Sequence, residues 1–321
     1  MERFSNILLI ADAAMEDSVA LKRAIALAIN NQASLTLIDI VDEIPSDLQM
    51  AITALTPKEL CDIVVSEKQE QLEGVVKAAA KRGIDFKAHV LVGKPFLEII
   101  RQVLRNKHDL VIKCVEPSTS LKDVLYGSTD MHLLRKCPCP VWIVKPSDHD
   151  HYRRVLAAVD RDPEDVQRDT LNQPILELAT SLALAESSEL HIVHAWSFYA
   201  ESFIRSPHTH YTKTEVGAMV EEEENTRRQW LEQLVDEQGV AVGMEAMSYL
   251  MPQLHLIKGE ARHVVPIKVQ ELDVDLIVMG TVARTGIPGF FMGNTAESIL
   301  NQIDCSVLAI KPFGFASPVS V

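Results

Sequence analysis

The chain alternates short β-rich apolar runs with longer stretches of helical period, the pattern of βαβ units and a parallel sheet. In the first half the runs Ile7–Ala11, Leu35–Val41, Phe86–Val92, Leu110–Cys114 and Val141–Val144 predict strands. Helical patterns lie between them around Ser18–Asn30, Pro57–Arg82, Pro95–Asn106 and Ser128–Arg135, with Leu21, Ile25 and Ala28 marking one apolar face. The second half predicts strands at Val155–Val159, Leu190–Ala195, Met247–Ile257, Leu276–Met279 and Val307–Ile310. Polar Pro146-Ser-Asp-His-Asp-His151 suits a linker between the halves.

The two halves are one unit written twice. Asp109-Leu-Val-Ile-Lys-Cys, running on to Lys145-Pro146, lies without a gap over Asp275-Leu-Ile-Val-Met-Gly, running on to Lys311-Pro312. Gly93, Gly127, Thr129, Leu134, Cys139 and Val141 fall on Gly259, Gly293, Thr295, Leu300, Cys305 and Val307. Ile7-Leu-Leu-Ile-Ala-Asp12 falls on Val155-Leu-Ala-Ala-Val-Asp160. The expected fold is therefore α/β, as two tandem doubly wound, mostly parallel five-stranded sheets over residues 1–146 and 152–313. A length of 321 residues, about twice a usual domain, agrees.

Composition narrows the function. The 31 basic and 45 acidic side chains leave a net charge of -14, which argues against direct binding to nucleic acid. The five cysteines show no CxxC pairing, which suits a reducing compartment. There is no signal-peptide core and no run of ~20 apolar residues, so the expectation is a cytoplasmic protein without a membrane span.

In a doubly wound sheet, ligands bind beyond the carboxyl ends of the strands. That rule selects Asp12 and Asp160 after the first strand of each half, and the loops that begin at Cys114 and Gly280. The second loop reads Gly280-Thr-Val-Ala-Arg-Thr-Gly286-Ile-Pro-Gly289-Phe-Phe-Met-Gly293-Asn-Thr-Ala-Glu297. Its glycines let backbone amides approach an anion, Asn294 and Thr295 open a helix, and Arg284 adds a positive charge. A ligand-free alternative makes Asn294 an N-cap with Glu297 as its capping-box partner.

A strand ending in Asp, then Gly-x-x-Gly-x9-Gly-Ser/Thr after strand four, then a helix and a final Pro-Val-rich strand resembles the universal stress protein family, here in tandem. The resemblance implies the HUP, adenine nucleotide alpha-hydrolase-like fold and a role in survival of oxidative or DNA-damaging stress. It also implies an ATP site, with magnesium accompanying the nucleotide and no metal bound by itself. Carried to the second half, the site is Asp160 and Ala195 at the adenine, Gly280 by the ribose, and Gly293, Asn294 and Thr295 at the phosphates. Ala283 and Asn294 depart from the family's Gly and Ser/Thr. In the first half the equivalents are Asp12, Ile40, Cys114, Pro117, Gly127, Ser128 and Thr129. Cys114 and Pro117 replace glycines, and Glu116, Asp123 and Asp130 line the loop, so this half is expected not to bind ATP.

No nucleophile elbow, Walker lysine or catalytic triad is present, so no catalytic residue is assigned and at most a weak ATPase is expected. Cys114, His132, Cys137 and Cys139 invite zinc, but Cys114 ends strand four while Cys137 and Cys139 precede strand five, so they belong to opposite ends of a parallel sheet. His191 and His194, three apart in a strand, face opposite sides. Glu223 and Glu224 stand four residues before Arg227 and Arg228, as on a solvated helix face. The loop Ser197–Thr214 carries Phe198, Tyr199, Phe203, His208, His210 and Tyr211, as a lid packed by its aromatics would. Beside it, Ala241–Met251 reads as part of the third strand. The alternatives to a nucleotide are an apolar, acyl or lipid-like ligand lining that Met-rich segment, and an interaction module without a small ligand. The halves are expected to pair as a pseudo-dimer, with further homo-oligomerisation left open.

Overall fold

The computed structural model describes the chain except residues 1–3, 15–16, 44–55, 81–82, 116–125, 147–148, 150, 162–165, 199–200, 205–210 and 282–291. The first half runs β1 (Asn6–Ile10), α1 (Val19–Asn31), β2 (Ser34–Val41), α2 (Pro57–Ala80), β3 (Phe86–Val92), α3 (Pro95–Asn106), β4 (Leu110–Cys114), α4 (Ser128–Lys136) and β5 (Val141–Val144). The second runs β6 (Arg154–Val159), α5 (Val166–Glu186), β7 (Glu189–Trp196), α6 (Glu201–Ile204), α7 (Lys213–Val242), α8 (Met244–Leu250), β8 (Gln253–Lys258), α9 (Ala261–Glu271), β9 (Leu276–Gly280), α10 (Asn294–Leu300) and β10 (Ser306–Ile310).

The chain divides into two compact units, residues 2–150 with 281–294 and 306–321, and residues 151–280 with 295–305. In the first, the strand order is β3-β2-β1-β4-β5-β10. The first five strands are parallel, and β10 joins antiparallel to β5 through Val307–Ile143, Leu308–Trp142 and Ala309–Val141. In the second unit β9, β6, β7 and β8 are neighbours in that order and all parallel. Near-continuous apolar strands are what a parallel sheet covered on both faces requires. Accordingly β4, β5 and β10 are buried along their whole length.

The repeat extends to how strands are fastened. The Asp109 carboxylate, just before β4, accepts the backbone N–H of Ser5 at 2.7 Å and of Asn6 at 3.0 Å, at the start of β1. Its repeat partner Asp275 accepts those of Arg153 and Arg154 at 2.7 and 2.9 Å, at the start of β6. Each acid satisfies amides that precede the ladder and sets the register of the first and fourth strands.

Two expectations are overturned. Because β10 pairs with β5, the compact units carry six and four strands instead of five each. Met247–Ile257 is not a single strand: Met244–Leu250 is helical, and β8 begins only at Gln253. Gly243, at φ 111°, ends α7 and restarts the chain as α8, which stops at Met251 in the left-handed conformation ahead of Pro252. Met247 and Leu250 point inward, whereas Met244, Tyr249 and Met251 are exposed, so the Met-rich segment is a helix on the surface. The acidic run behaves as expected, with Arg227 bonded to Glu223 at 2.6 Å and Arg228 to Glu224 at 3.0 Å. Tyr199, His208 and His210 of the aromatic loop lie outside the described residues.

Gly93 and Gly259, repeat partners after β3 and β8, have φ of 145° and 149°. A Cβ at Gly259 would meet Val264 Cγ1 at 2.5 Å, so both backbone angle and space demand glycine. Gly259→Ala is expected to lower stability by more than about 1 kcal/mol, and Gly217→Ala within α7 to raise it by about 0.5–1 kcal/mol. Urea-unfolding midpoints of the two variants should move in opposite directions.

Candidate functional site

In the first half, Asp12 follows β1 and is turned onto its own chain. Its carboxylate accepts the Ala14 N–H at 2.9 Å and the Ser18 hydroxyl, and Ser18 in turn caps α1 through the Leu21 N–H. Burial, and then the Asp12 carboxylate beside it, push the Cys114 thiol up to about 12, so this cysteine stays protonated. The cleft bounded by Ile10, Asp12, Ser18, Leu37 and Val75 encloses about 210 Å³, part of it open to solvent. Ile40 follows Asp39, which holds Lys68 at 2.5 Å.

The loop ahead of α4 is occupied from within. Asp130 is fully buried, accepts the Gly127 N–H at 3.2 Å and forms an ion pair with Lys113 at 2.9 Å. Lys113 is itself 5 % exposed and also donates to the Cys114 carbonyl at 3.0 Å. The carboxylate thus takes the Gly127 N–H at the start of α4, and a buried lysine neutralises it. Ser128 is exposed and Thr129 buried. Pro117, Glu116 and Asp123 lie outside the described residues.

In the second half, Asp160, Ala195 and Gly280 stand at the carboxyl ends of the neighbouring strands β6, β7 and β9. Buried Asn172 of α5 clamps the Asp160 backbone, accepting its N–H at 3.0 Å and donating to its carbonyl at 2.6 Å. A Cβ on Gly280 would meet Leu171 Cδ1 at 3.3 Å, so glycine lets α5 close over this strand end. Gly293 donates its N–H to the Thr281 carbonyl at 3.1 Å. Helix α10 starts at Asn294, which puts Gly293 rather than Asn294 in the cap position, and Asn294 and Thr295 are exposed. Ala283 and Arg284 lie outside the described residues.

The repeat offset makes the contrast chemical. Lys113 and Asp130 fall on Met279 and Ala296, both buried apolar residues. The second half therefore has neither the internal carboxylate nor the lysine that neutralises it.

Residue-by-residue motif matching does not reveal His194, beside Ala195 in β7. It is 1 % exposed, its ring meets Trp230 edge-on at 4.8 Å, and its Nδ1 lies 3.3 Å from the Val159 carbonyl. His191 turns to the other face, with its Nδ1 3.1 Å from Nε2 of His255 on β8. Burial pulls His194 down to about 4, and the Arg227 and Arg161 charges add to the effect. Among the described residues, no group of three or more His, Cys, Asp or Glu could hold a metal ion, and no helix is long and apolar enough to cross a membrane.

Two tandem α/β repeats, each with an acid after its first strand and a glycine-led helix after its fourth, define the class, and the chain belongs to the universal stress protein family. The family's sequence profile matches residues 3–145 and 151–311. The chain is 28% identical over 332 residues to universal stress protein E of Escherichia coli, covering 100% of this chain and 98% of that protein. It is also 28% identical, over 334 residues and with the same coverage, to universal stress protein E of Salmonella typhi. A crystal structure of a functionally unknown protein from Pseudomonas aeruginosa superposes with a TM-score of 0.67 at 25% identity, covering 96% of this chain and 93% of that one.

Two predictions follow from the buried charges. Removing one partner of the Lys113–Asp130 pair leaves the other uncompensated, so Asp130→Ala or Lys113→Met should each cost about 3–5 kcal/mol. The double variant Lys113→Met/Asp130→Ala, which installs the second half's own residues, should cost less than either single change in urea unfolding. His194 is held below its ordinary 6.5, so it binds a proton more readily in the unfolded chain. Its contribution is full above pH 6.5 and is lost as pH falls through about 4. The stability lost on this acid side should shrink by up to about 3 kcal/mol in His194→Leu, measured by unfolding at pH 7 and pH 4.

Proposed function

We propose that this tandem universal stress protein is a non-catalytic sensor and scaffold supporting survival of oxidative or DNA-damaging stress, and that only its C-terminal half takes up an adenine nucleotide, with magnesium accompanying the phosphates. The observation that carries the asymmetry is the Asp130 carboxylate on the Gly127 N–H, backed by Lys113, against Ala296 and Met279 at the equivalent positions. A carboxylate that already takes the Gly127 N–H leaves that donor unavailable to a phosphate. Asp12, engaged by Ser18 and Ala14, adds to the closure of the first half.

In the second half the family resemblance gives Asp160 and Ala195 the adenine end, Gly280 the ribose, and Gly293, Asn294 and Thr295 the phosphates, and Arg284 adds a positive charge to that loop. Asn294 in place of Ser or Thr keeps a side-chain donor through its amide. With no general base or Walker lysine assigned, such a site would hold the nucleotide and turn it over slowly at most. The closed first half supports an interaction role for that half, in which surface rather than chemistry is the output.

Calorimetric titration with ATP and magnesium is expected to show one site per chain. Grafting the first half's internal anion into the second, as Met279→Lys/Ala296→Asp, should weaken that site at least tenfold, as should Arg284→Ala/Gly293→Asp. Two equivalent sites would overturn the asymmetry. No binding in the unaltered chain, with no prebound ligand displaced, would overturn the nucleotide reading and leave the interaction module.

A further inference from the structure

Cys137 and Cys139 bracket Pro138 at the end of α4, with their sulfur atoms 3.6 Å apart. Cys137 is 0 % and Cys139 8 % exposed. Packing alone does not call for two thiols. Cys139 has a repeat partner in Cys305, but Cys137 falls on Ile303, an apolar residue equally buried. A third group completes the cluster: Lys311, after β10, is buried and donates its ammonium to the Leu134 carbonyl of α4 and to the Thr281 hydroxyl. The Phe315 ring lies 5.1 Å from that ammonium and covers it.

We propose that Cys137 and Cys139 are a peroxide-oxidised thiol pair, with Cys137 the attacking sulfur, Cys139 the resolving one and Lys311 the cation that favours the Cys137 thiolate. The electrostatics agree with this division. Burial alone would raise Cys137, but the hydrogen bond from Cys139 and the Lys311 charge outweigh it and bring the thiol below its ordinary value. Cys139, which donates that bond, is pushed well up. Burial lowers Lys311 to about 7, with Cys137 opposing the shift, so the ammonium and the Cys137 thiolate favour each other.

The chemistry balances as two thiols plus hydrogen peroxide giving a disulfide plus two waters. The Cys137 thiolate attacks one peroxide oxygen, the O–O bond breaks, and the leaving hydroxide takes a proton to become water. Cys137 is left as a sulfenic acid. The Cys139 sulfur then attacks the Cys137 sulfur, the S–S bond forms, the S–O bond breaks, and the oxygen departs as water with the Cys139 proton. Two electrons pass from the sulfurs to the peroxide. Near-complete burial restricts the oxidant to a small neutral molecule, and a dithiol reductant reverses the step.

The test treats the full-length chain with hydrogen peroxide, then unfolds it in the presence of an alkylating agent and digests it with trypsin. The peptide that begins at Cys137 should resist alkylation and be about 2 Da lighter than its reduced form, while Cys61, Cys114 and Cys305 remain alkylated. Dithiothreitol should restore both thiols. In Cys139→Ser, a dimedone label should appear on Cys137, and Lys311→Met should slow disulfide formation about tenfold. Alkylation of both cysteines after peroxide, oxygen addition without the disulfide, or a dimedone label on another cysteine would overturn the pair. An unchanged rate in Lys311→Met would overturn the role of the lysine.

Discussion

A carboxylate with no exposed surface has to be neutralised where it sits, and Asp130 places that demand on the first half of the chain. Lys113 meets it from the middle of β4, at 2.9 Å, with the Gly127 N–H as a second donor. A buried pair of this kind contributes little over an apolar pair of equal volume, yet neither partner tolerates loss of the other. The start of α4 is consequently engaged from within: the Gly127 N–H, at the positive end of the helix dipole, serves a side chain of the protein. Met279 and Ala296 in the second half need no such neutralisation, and there the Gly293 N–H meets the Thr281 carbonyl instead of a carboxylate.

What the two repeats share is fastening, and what they do not share is filling. Asp109 and Asp275 bind the backbone ahead of β1 and β6 in the same way, and Gly93 and Gly259 adopt the same rare backbone angle. These positions are dictated by covalent geometry and by amides that have no other partner. Positions at the carboxyl ends of the strands are free of that constraint. There Ser18 and Cys114 close on Asp12 in one half, while Asn172 holds the Asp160 backbone in the other.

The strands and most helices were legible because parallel strands buried on both faces read as unbroken apolar runs, and Pro57, Pro95 and Ser128 mark helix starts. Helix α8 was not, because Ala241–Met251, with seven of its eleven residues Met, Val, Ala or Leu, fits a strand as well as a helix. The signal against a strand was Gly243, which restarts the chain at positive φ. The positions of Asp160, Ala195 and Gly280 could be placed from the repeat and the resemblance, whereas their immediate surroundings could not. Lys113 was the readable clue left unused: a charge inside Leu110-Val-Ile-Lys-Cys114 must find a buried partner, and its repeat position is methionine. His194 and Asn172 gave no such clue, since a histidine in a strand and an asparagine in a helix are unremarkable until their neighbours are known.

Helix α4 unites the two buried lysines of the first compact unit. Its nine residues span roughly 13 Å. At its start Asp130 places a negative charge where the helix dipole is positive, and at its end Lys311 places a positive charge where the dipole is negative. Both are favourable, and both are buried, so each depends on a neutralising neighbour that it does not choose freely. Asp130 has Lys113, a permanent partner for a carboxylate. Lys311 has two neutral acceptors, the Leu134 carbonyl and the Thr281 hydroxyl, and a thiol whose charge depends on its proton. The start of the helix therefore rests on a carboxylate–ammonium pair, while the lysine at its end faces a thiol. Because α4 is one continuous helix, Cys137 at its end and Asp130 in its first turn are held on the same element, and Cys137 lies at the opposite end of the sheet from Asp12.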